Sequence, residues 1–317
     1  MSTALSPDLV FRQDVFTGLR QGRKTLPCKY LYDETGSALF DQICDLDEYY
    51  PTRTELQIMS ENAASIADQI GTGAMLVEYG SGSSTKTRWL LDSLDEPAAY
   101  VPVDISEEHL LRTAESLRSA YPKLEVLPVV ADFTRSFALP SSQVDASHNA
   151  LYFPGSTIGN FAPKAAGQIL ESMSKFLGRG GGLLIGIDLQ KEISVIEAAY
   201  NDNEGVTAAF NLNLLTRINR ELDGEFDLAM FEHDAIYNEA NSRIEISIRS
   251  LHDQVVRVGT QTFEFAAGEK ILTEYSHKYT IAGFAEFASH YGFELHHHWT
   301  DRLDYFGVMH LVLEGAA

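Results

Sequence analysis

Cysteine and tryptophan each occur only twice in 317 residues, and 45 acidic side chains outnumber 24 basic ones. No apolar run reaches the roughly 18 residues that a membrane-spanning helix needs. Each shortage excludes something. Two cysteines, Cys28 and Cys44, supply neither a disulfide framework nor a metal cluster, so both are expected as free thiols with a packing role. The opening stretch MSTALSPDLVFRQDVF carries Asp8 and Asp14 and lacks a basic start followed by an apolar core, so it does not read as a secretory signal, and a cytoplasmic protein is expected. A formal net charge of −21 opposes sequence-independent attraction to phosphates, which disfavours DNA, RNA and anionic membranes as partners. A small-molecule partner is expected instead.

What is present is ordinary for a folded chain: 44% hydrophobic and 22% charged residues. The length predicts one large or two unequal domains with a sizeable core. Residues 54–70 place Leu56, Met59, Ala63, Ile66 and Ile70 on one helical face. From there AMLVEYG, AAYVPVDI, LEVLPVVADF, ALYFPGSTIGNF and GGGLLIGIDL read as strands, separated by helices at KTRWLLDSL, EEHLLRTAESLRSAY and Pro163 to Leu177. Short apolar strands alternating with helices predict a parallel sheet covered on both faces. The rhythm then breaks. Residues 193–230 read as largely helical, and RIEISIRSLHDQVVRV with QTFEFAAGEKILTEYSHKY as antiparallel strands. A helix at IAGFAEFASHYGF and a closing strand pair follow. The expected division is therefore a sheet domain over 57–192 and 279–317, with a second domain over 1–56 and 193–278.

Between the first strand and its helix lies EYGSGSSTKT, residues 78–87. A nucleotide P-loop would need glycine at Thr85 before Lys86 and Thr87, and the dinucleotide fingerprint fails at the same residue. A β-branched side chain there blocks close wrapping of a pyrophosphate. Glu78, Gly80 and Gly82 remain, a pattern that suits a cofactor whose charged part is an amino acid, S-adenosylmethionine. Asp104 ends the second strand about 20 residues further on, where a ribose diol would be held. Asp132 and Phe133 end the third, offering an acceptor for an adenine amino group beside an aromatic face. Singly these are a turn, a helix cap and a loop acid; jointly, at one rim of the sheet, they point to a cofactor site.

KYLYDETGSALFDQICDLDEYYPTRTE, EYGSGSSTKTR, FPGSTIGNF, YNDNEGVTAAFNLNLL and FAAGEKILTEYSHKY closely resemble the histidine-specific methyltransferases of ergothioneine biosynthesis. These blocks span nearly the whole chain. The resemblance implies a doubly wound, Rossmann-like class I methyltransferase sheet plus a second α+β substrate-binding domain. It also implies three successive methyl transfers from S-adenosylmethionine to the α-amine of L-histidine, giving hercynine. Cofactor contacts carry over to Gly80, Ser81, Gly82, Lys86, Asp104, Asp132 and Phe133. The substrate pocket carries over to Tyr32, Phe40, Tyr49, Gly155, Asn160, Tyr200, Glu274 and Ser276. In it Asn160 and Tyr200 would hold the α-carboxylate, Tyr49 and Asn160 would orient the α-amine, and Glu274 with Ser276 would grip the imidazole. Tyr49 and Asn160 are the candidates for catalysis; neither a metal nor an oligomer is implied.

Elementary geometry agrees with these roles without demanding them. Glu274 and Ser276 are two apart in a strand-like stretch and so share a face, able to meet the two ring nitrogens of one imidazole. The same pair could be a solvated strand edge. Asn160 could be a turn asparagine, Tyr49 a packed aromatic turn and Tyr200 a helix-surface residue. The consecutive histidines 296–298 lack a carboxylate or cysteine partner for a metal. Rival readings are the same chemistry on another small amino acid or histidine derivative, with Ile246 lining the pocket, a non-catalytic S-adenosylmethionine-binding regulator, and a nucleotide hydrolase.

Overall fold

A computed structural model describes residues 7–82, 85–135 and 137–313. The chain divides into two units: Met1–Tyr49 with Glu192–Ser276, and Tyr50–Lys191 with His277–Ala317. The first division falls at residues 49/50 and not at the expected 56/57. The reason is the helix Tyr50–Ile70, which starts four residues earlier than its apolar spacing suggests and packs Ile58, Met59, Ile66 and Ile70 into the core of the sheet unit.

That unit contains a seven-stranded sheet whose strands lie in the order Phe293–Thr300, Phe306–Leu313, Gly182–Asp188, His148–Phe153, Ala74–Tyr79, Ala99–Asp104 and Val129–Val130. Neighbours from Gly182–Asp188 to Val129–Val130 run parallel, whereas Phe306–Leu313 runs antiparallel to both strands beside it. Successive residues point to opposite faces. Leu76 joins the helices Tyr50–Ile70, Thr85–Leu91 and Glu107–Ala120 on one side. Val77 joins Pro163–Leu177 and Ile281–Ser289 on the other. Both faces are covered, which explains the unbroken apolar runs in the strands. The strand order reverses direction about Ala74–Tyr79, so the carboxyl ends of that strand and its neighbours open onto a topological switch point.

The expected third strand, residues 124–133, shortens to Val129–Val130 plus a single bridge at Val126. Pro128 lies between the two and has no N–H for the ladder. Asp132 and Phe133 consequently lie in the turn beyond the strand.

The other unit is built around helix Val206–Leu222, which buries Phe210, Leu214, Leu215, Ile218 and Leu222. Each such side chain contributes about 1.5–3 kcal/mol of burial. They pack against Phe11, Val15 and Leu19 of helix Pro7–Leu19, Ile43 of helix Glu34–Asp45, and Ile248 and Ile271 from the sheet. Asp202 starts the central helix by accepting hydrogen bonds from the backbone N–H groups of Val206 (2.8 Å) and Thr207 (2.9 Å). The sheet here has four strands in the order Lys24–Thr25, Lys270–His277, Arg243–Ser250 and Phe231–Asn238. Sequence reading misses Phe231–Asn238 and both N-terminal helices. A separate hairpin, Gln254–Val258 with Gln261–Phe265, turns at Gly259, whose φ is +56°.

Candidate active site

The glycine turn grows out of the Ala74–Tyr79 strand. Gly80 and Gly82 both have positive φ, +68° and +48°, a conformation glycine adopts without steric cost. The turn is held from the neighbouring strand: Gly80 N–H donates to the Val103 carbonyl (2.8 Å), and Gly82 N–H donates to Asp104 Oδ2 (3.1 Å). Asp104 Oδ1 accepts from the backbone of Ser106 (2.9 Å), at the start of helix Glu107–Ala120. Asp104 therefore fixes both the turn and the helix start. Ser83 and Ser84 of the loop lie outside the described residues.

Glu78, one strand position before Tyr79, points away from this rim. It is 1% exposed and accepts hydrogen bonds from Thr87 Oγ1 (2.6 Å) and from the Tyr100 hydroxyl. Burial pushes its carboxyl up to about 7 against the pull of those two bonds. Through those two bonds it braces the turn. Phe133 stacks on Tyr79 with ring centroids 5.6 Å apart and planes 16° off parallel. A methylene added to Gly80 would meet the Phe133 ring at 3.9 Å. Asp132 Oδ1 accepts from the backbone N–H (3.0 Å) and hydroxyl of Thr134, which fixes the turn that carries it.

Glycines with positive φ, carboxylates at two adjacent strand ends and an aromatic ring beside the turn form a cradle for a neutral sugar and base carrying a cation. Hydroxyl and amino donors fit carboxylate acceptors. The set is poorly suited to a pyrophosphate, which would meet two negative side chains. These residues fit S-adenosylmethionine.

Lys86 follows the turn and pairs with Glu55 of helix Tyr50–Ile70. Sequence reading does not single out Glu55. It is fully buried, and its carboxylate accepts from the Gly155 N–H (3.0 and 3.1 Å) and the Tyr152 hydroxyl (3.2 Å). Gly186 makes room for it, since a Cβ there would sit 2.4 Å from Glu55 Oε1. One carboxylate thus joins Lys86 and Gly155, expected respectively at cofactor and substrate. Gly155 has φ of +72° and Ser156 a φ of +55°, the start of the short helix Thr157–Asn160. Asn160 ends that helix and is half-buried. A Cβ on the preceding Gly159 would lie 3.0 Å from the His277 carbonyl, so glycine permits that close approach.

The remaining substrate candidates belong to the other unit, where the fold brings them together. Ser276 Oγ and the Tyr200 hydroxyl are 2.6 Å apart. Tyr49 meets Tyr200 edge to face at 6.1 Å, Phe40 meets Tyr49 at 6.3 Å, and Tyr32 meets Phe40 at 5.5 Å. Phe210, absent from the sequence-derived set, completes the cluster against Tyr32 and Phe40. Its position on an apolar helix face gives it the look of core, so nothing in its spacing marks it. Burial raises the Tyr32 and Tyr49 phenols well above their ordinary value, and the charge of Glu274 adds to both shifts. Tyr200 is set from behind: its carbonyl accepts from His233 Nε2 (2.8 Å), while Asn211 donates to His233 Nδ1 (3.0 Å). Burial lowers the His233 pKa, which keeps the ring neutral in that tautomer. Ile246 is buried in strand Arg243–Ser250.

His296, His297 and His298 are all exposed, and a register shift between Leu295 and His297 interrupts their alternation. No group of histidine, cysteine, aspartate and glutamate among the described residues is arranged to hold a metal.

The histidine N-alpha-methyltransferase of Mycolicibacterium smegmatis is 40% identical over 303 residues, covering 94% of this chain and 93% of its own. The protein of the same description from Mycobacterium tuberculosis is 40% identical over 306 residues, with 95% and 94% covered. Ergothioneine biosynthesis protein 1 of Neurospora crassa is 33% identical over 247 residues, 75% of this chain but 28% of that longer protein. Among solved structures, a possible exported protein from Bordetella parapertussis superposes with a TM-score of 0.50 at 11% identity, covering 98% of this chain and 100% of its own, a likeness of fold alone. A family model described as histidine-specific, S-adenosylmethionine-dependent methyltransferase matches residues 11–313, and the chain belongs to that family.

Proposed function

We propose that this protein is an L-histidine Nα-methyltransferase that makes three successive methyl transfers to the α-amine and yields hercynine, the first step of ergothioneine biosynthesis. The observation that carries this reading is the convergence of Tyr32, Phe40, Tyr49, Tyr200 and Ser276, drawn from separate segments, around one hydrogen bond between Tyr200 and Ser276. The 40% identity to the mycobacterial enzymes supports it.

S-adenosylmethionine, when bound, supplies an electrophilic methyl carbon on a sulfonium. Gly80, Ser81, Gly82, Lys86, Asp104, Asp132 and Phe133 would hold it. In our reading Asn160 and Tyr200 take the α-carboxylate, Tyr49 and Asn160 orient the α-amine, and Glu274 and Ser276 take the imidazole. Gly155 leaves space beside the reacting nitrogen, and Ile246 lines the side-chain end. The amine must be deprotonated and aligned before it can attack, and alignment is the protein's main contribution. Tyr49 does this as a hydrogen-bonding phenol, because its raised pKa leaves no useful phenolate at neutral pH. Aromatic rings around a nitrogen that gains methyl groups tolerate its permanent positive charge, as faces of Tyr and Phe attract quaternary ammonium ions. That supports trimethylation over a single transfer.

We further read the protein as a cytoplasmic monomer, in keeping with Cys28 and Cys44 not being joined in a disulfide; no helix among the described residues is long and apolar enough to cross a membrane. The test is mass spectrometry of the purified protein with S-adenosylmethionine and a mixture of the twenty amino acids. Histidine alone should gain three methyl groups. Methylation of a different amino acid would defeat the imidazole assignment of Glu274 and Ser276, and no product at all would favour a binding-only protein.

A further inference from the structure

The chain passes between its two units three times, at 49/50, 191/192 and 276/277. Within the sheet unit, the residues beside those crossings share one partner. Asp188, the last residue of strand Gly182–Asp188, is 1% exposed. Its carboxylate accepts from the Tyr50 hydroxyl (2.8 and 2.9 Å), from Lys191 Nζ (2.5 Å) and from Lys278 Nζ (2.7 Å). Lys191 also donates to the Tyr50 oxygen at 2.8 Å and lies 4.3 Å from its ring centre. The Asp188 backbone N–H donates to Ser156 Oγ (2.9 Å), next to Gly155.

This is an expensive arrangement. The Lys278 side chain is fully buried and that of Lys191 is 4% exposed, so two ammonium groups share one carboxylate away from water. Burial pushes the Asp188 carboxyl up, yet the two lysines outweigh it and hold it below the usual range; burial brings Lys191 down to about 8. Buried ion pairs of this kind seldom add net stability over well-packed apolar residues, and their better-attested use is to specify one arrangement. Here the specified arrangement is the point at which each crossing leaves the sheet unit. Tyr50 adjoins Tyr49, and Lys278 lies two residues beyond Ser276.

We propose that Asp188 is a positioning residue for methyl transfer, which by gathering Tyr50, Lys191 and Lys278 onto one carboxylate sets where the segments bearing Tyr49 and Ser276 depart. The proposal rests on the reading of Tyr49 and Ser276 as substrate residues. It predicts a selective defect: Asp188→Asn, which keeps the shape but removes the charge, raises the KM for histidine by about tenfold or more, the worth of a lost charged hydrogen bond. Affinity for S-adenosylmethionine, measured calorimetrically, stays within about threefold.

The test pairs those kinetics with hydrogen–deuterium exchange of the full chain. In Asp188→Asn, amides around Tyr49–Tyr50, Lys191–Glu192 and Ser276–Lys278 should lose protection together while the Ala74–Tyr79 strand keeps its own. Tyr50→Phe, which removes one hydroxyl, gives the same pattern at smaller amplitude and serves where Asp188→Asn does not fold. Loss spread evenly through the sheet unit, loss at one crossing only, or an unchanged KM for histidine in a folded variant overturns the proposal. A wild-type protein inactive on histidine would instead refute the substrate assignment, and the exchange pattern would still decide the role of Asp188.

Discussion

Tyr49 carries a phenol that its surroundings keep protonated. Its neighbours are the rings of Phe40 and Tyr200. With burial raising its pKa and the charge of Glu274 raising it further, it stays a neutral phenol across the neutral range, as the proposed role of hydrogen-bond partner to an amine requires. Tyr49→Phe should therefore lower kcat/KM for histidine by about 10- to 100-fold, the worth of one hydrogen bond to a charged group. Cofactor affinity should hardly move. Steady-state kinetics beside calorimetric titration would check this, and an equal loss of cofactor affinity would move Tyr49 out of the substrate site. At this scale the sequence was informative about the aromatic pocket candidates and silent about buried charge. Tyr49, Tyr200 and Ser276 could be named because they lie in blocks that resemble a family. Glu55 and Lys278, although in those same blocks, and Asp188 and Lys191 outside them were not singled out, because an ordinary-looking charged residue acquires its meaning only when distant segments close over it.

The glycine turn is an element whose stability depends on what lies under it. Glu78 bonds Thr87 of the following helix and Tyr100 of the adjacent strand, so the turn's two ends are tied to one carboxyl. With a folded pKa of about 7 against 4.5 for a free glutamate, the folded state retains a proton that the unfolded chain has lost. Glu78 then favours the fold below about pH 4.5, and that advantage fades as the pH rises through 7. The span corresponds to about 3 kcal/mol. Glu78→Gln keeps an acceptor without a charge. Denaturant unfolding at pH 5 and pH 8 should show wild type losing about 2.5 kcal/mol more than the variant between those values. Parallel pH profiles would show that Glu78 is ionised in both states.

Elements were legible where periodicity was strong. The alternating strands and helices from Ala74 to Asp188 were readable, because strands buried on both faces leave unbroken apolar runs. Phe231–Asn238 was not, since its sequence FEHDAIYN carries charges on a half-exposed edge strand and its burial does not alternate. The stretch 124–133 misled in the opposite sense: β-branched composition suggested a long strand, and Pro128 limited it.

For the whole molecule, charge sets what it avoids. A net charge of −21 and an isoelectric point near 4.8 predict no measurable association with duplex DNA, weaker than about 10⁻⁴ M at physiological salt. Fluorescence anisotropy with a labelled short duplex would check this, and salt-sensitive binding in the micromolar range would reveal a basic patch that the net figure hides. At this scale the break in strand–helix rhythm after residue 192 lies beside the chain's passage between units at 191/192. The start of the sheet unit was less legible, because Tyr50 to Arg53 look like a loop rather than the first turn of a helix.

Strand Phe306–Leu313 lies inside the sheet, between Phe293–Thr300 and Gly182–Asp188. Synthesis on a ribosome delivers it after the other described strands of this sheet, so until then Gly182–Asp188, apolar up to its terminal aspartate, presents an open edge to its surroundings. The nascent chain is thus most vulnerable to intermolecular strand pairing just before Phe306–Leu313 emerges. Slowed translation of the codons for Phe306–Leu313 should lengthen that exposure, and chaperone occupancy should peak there.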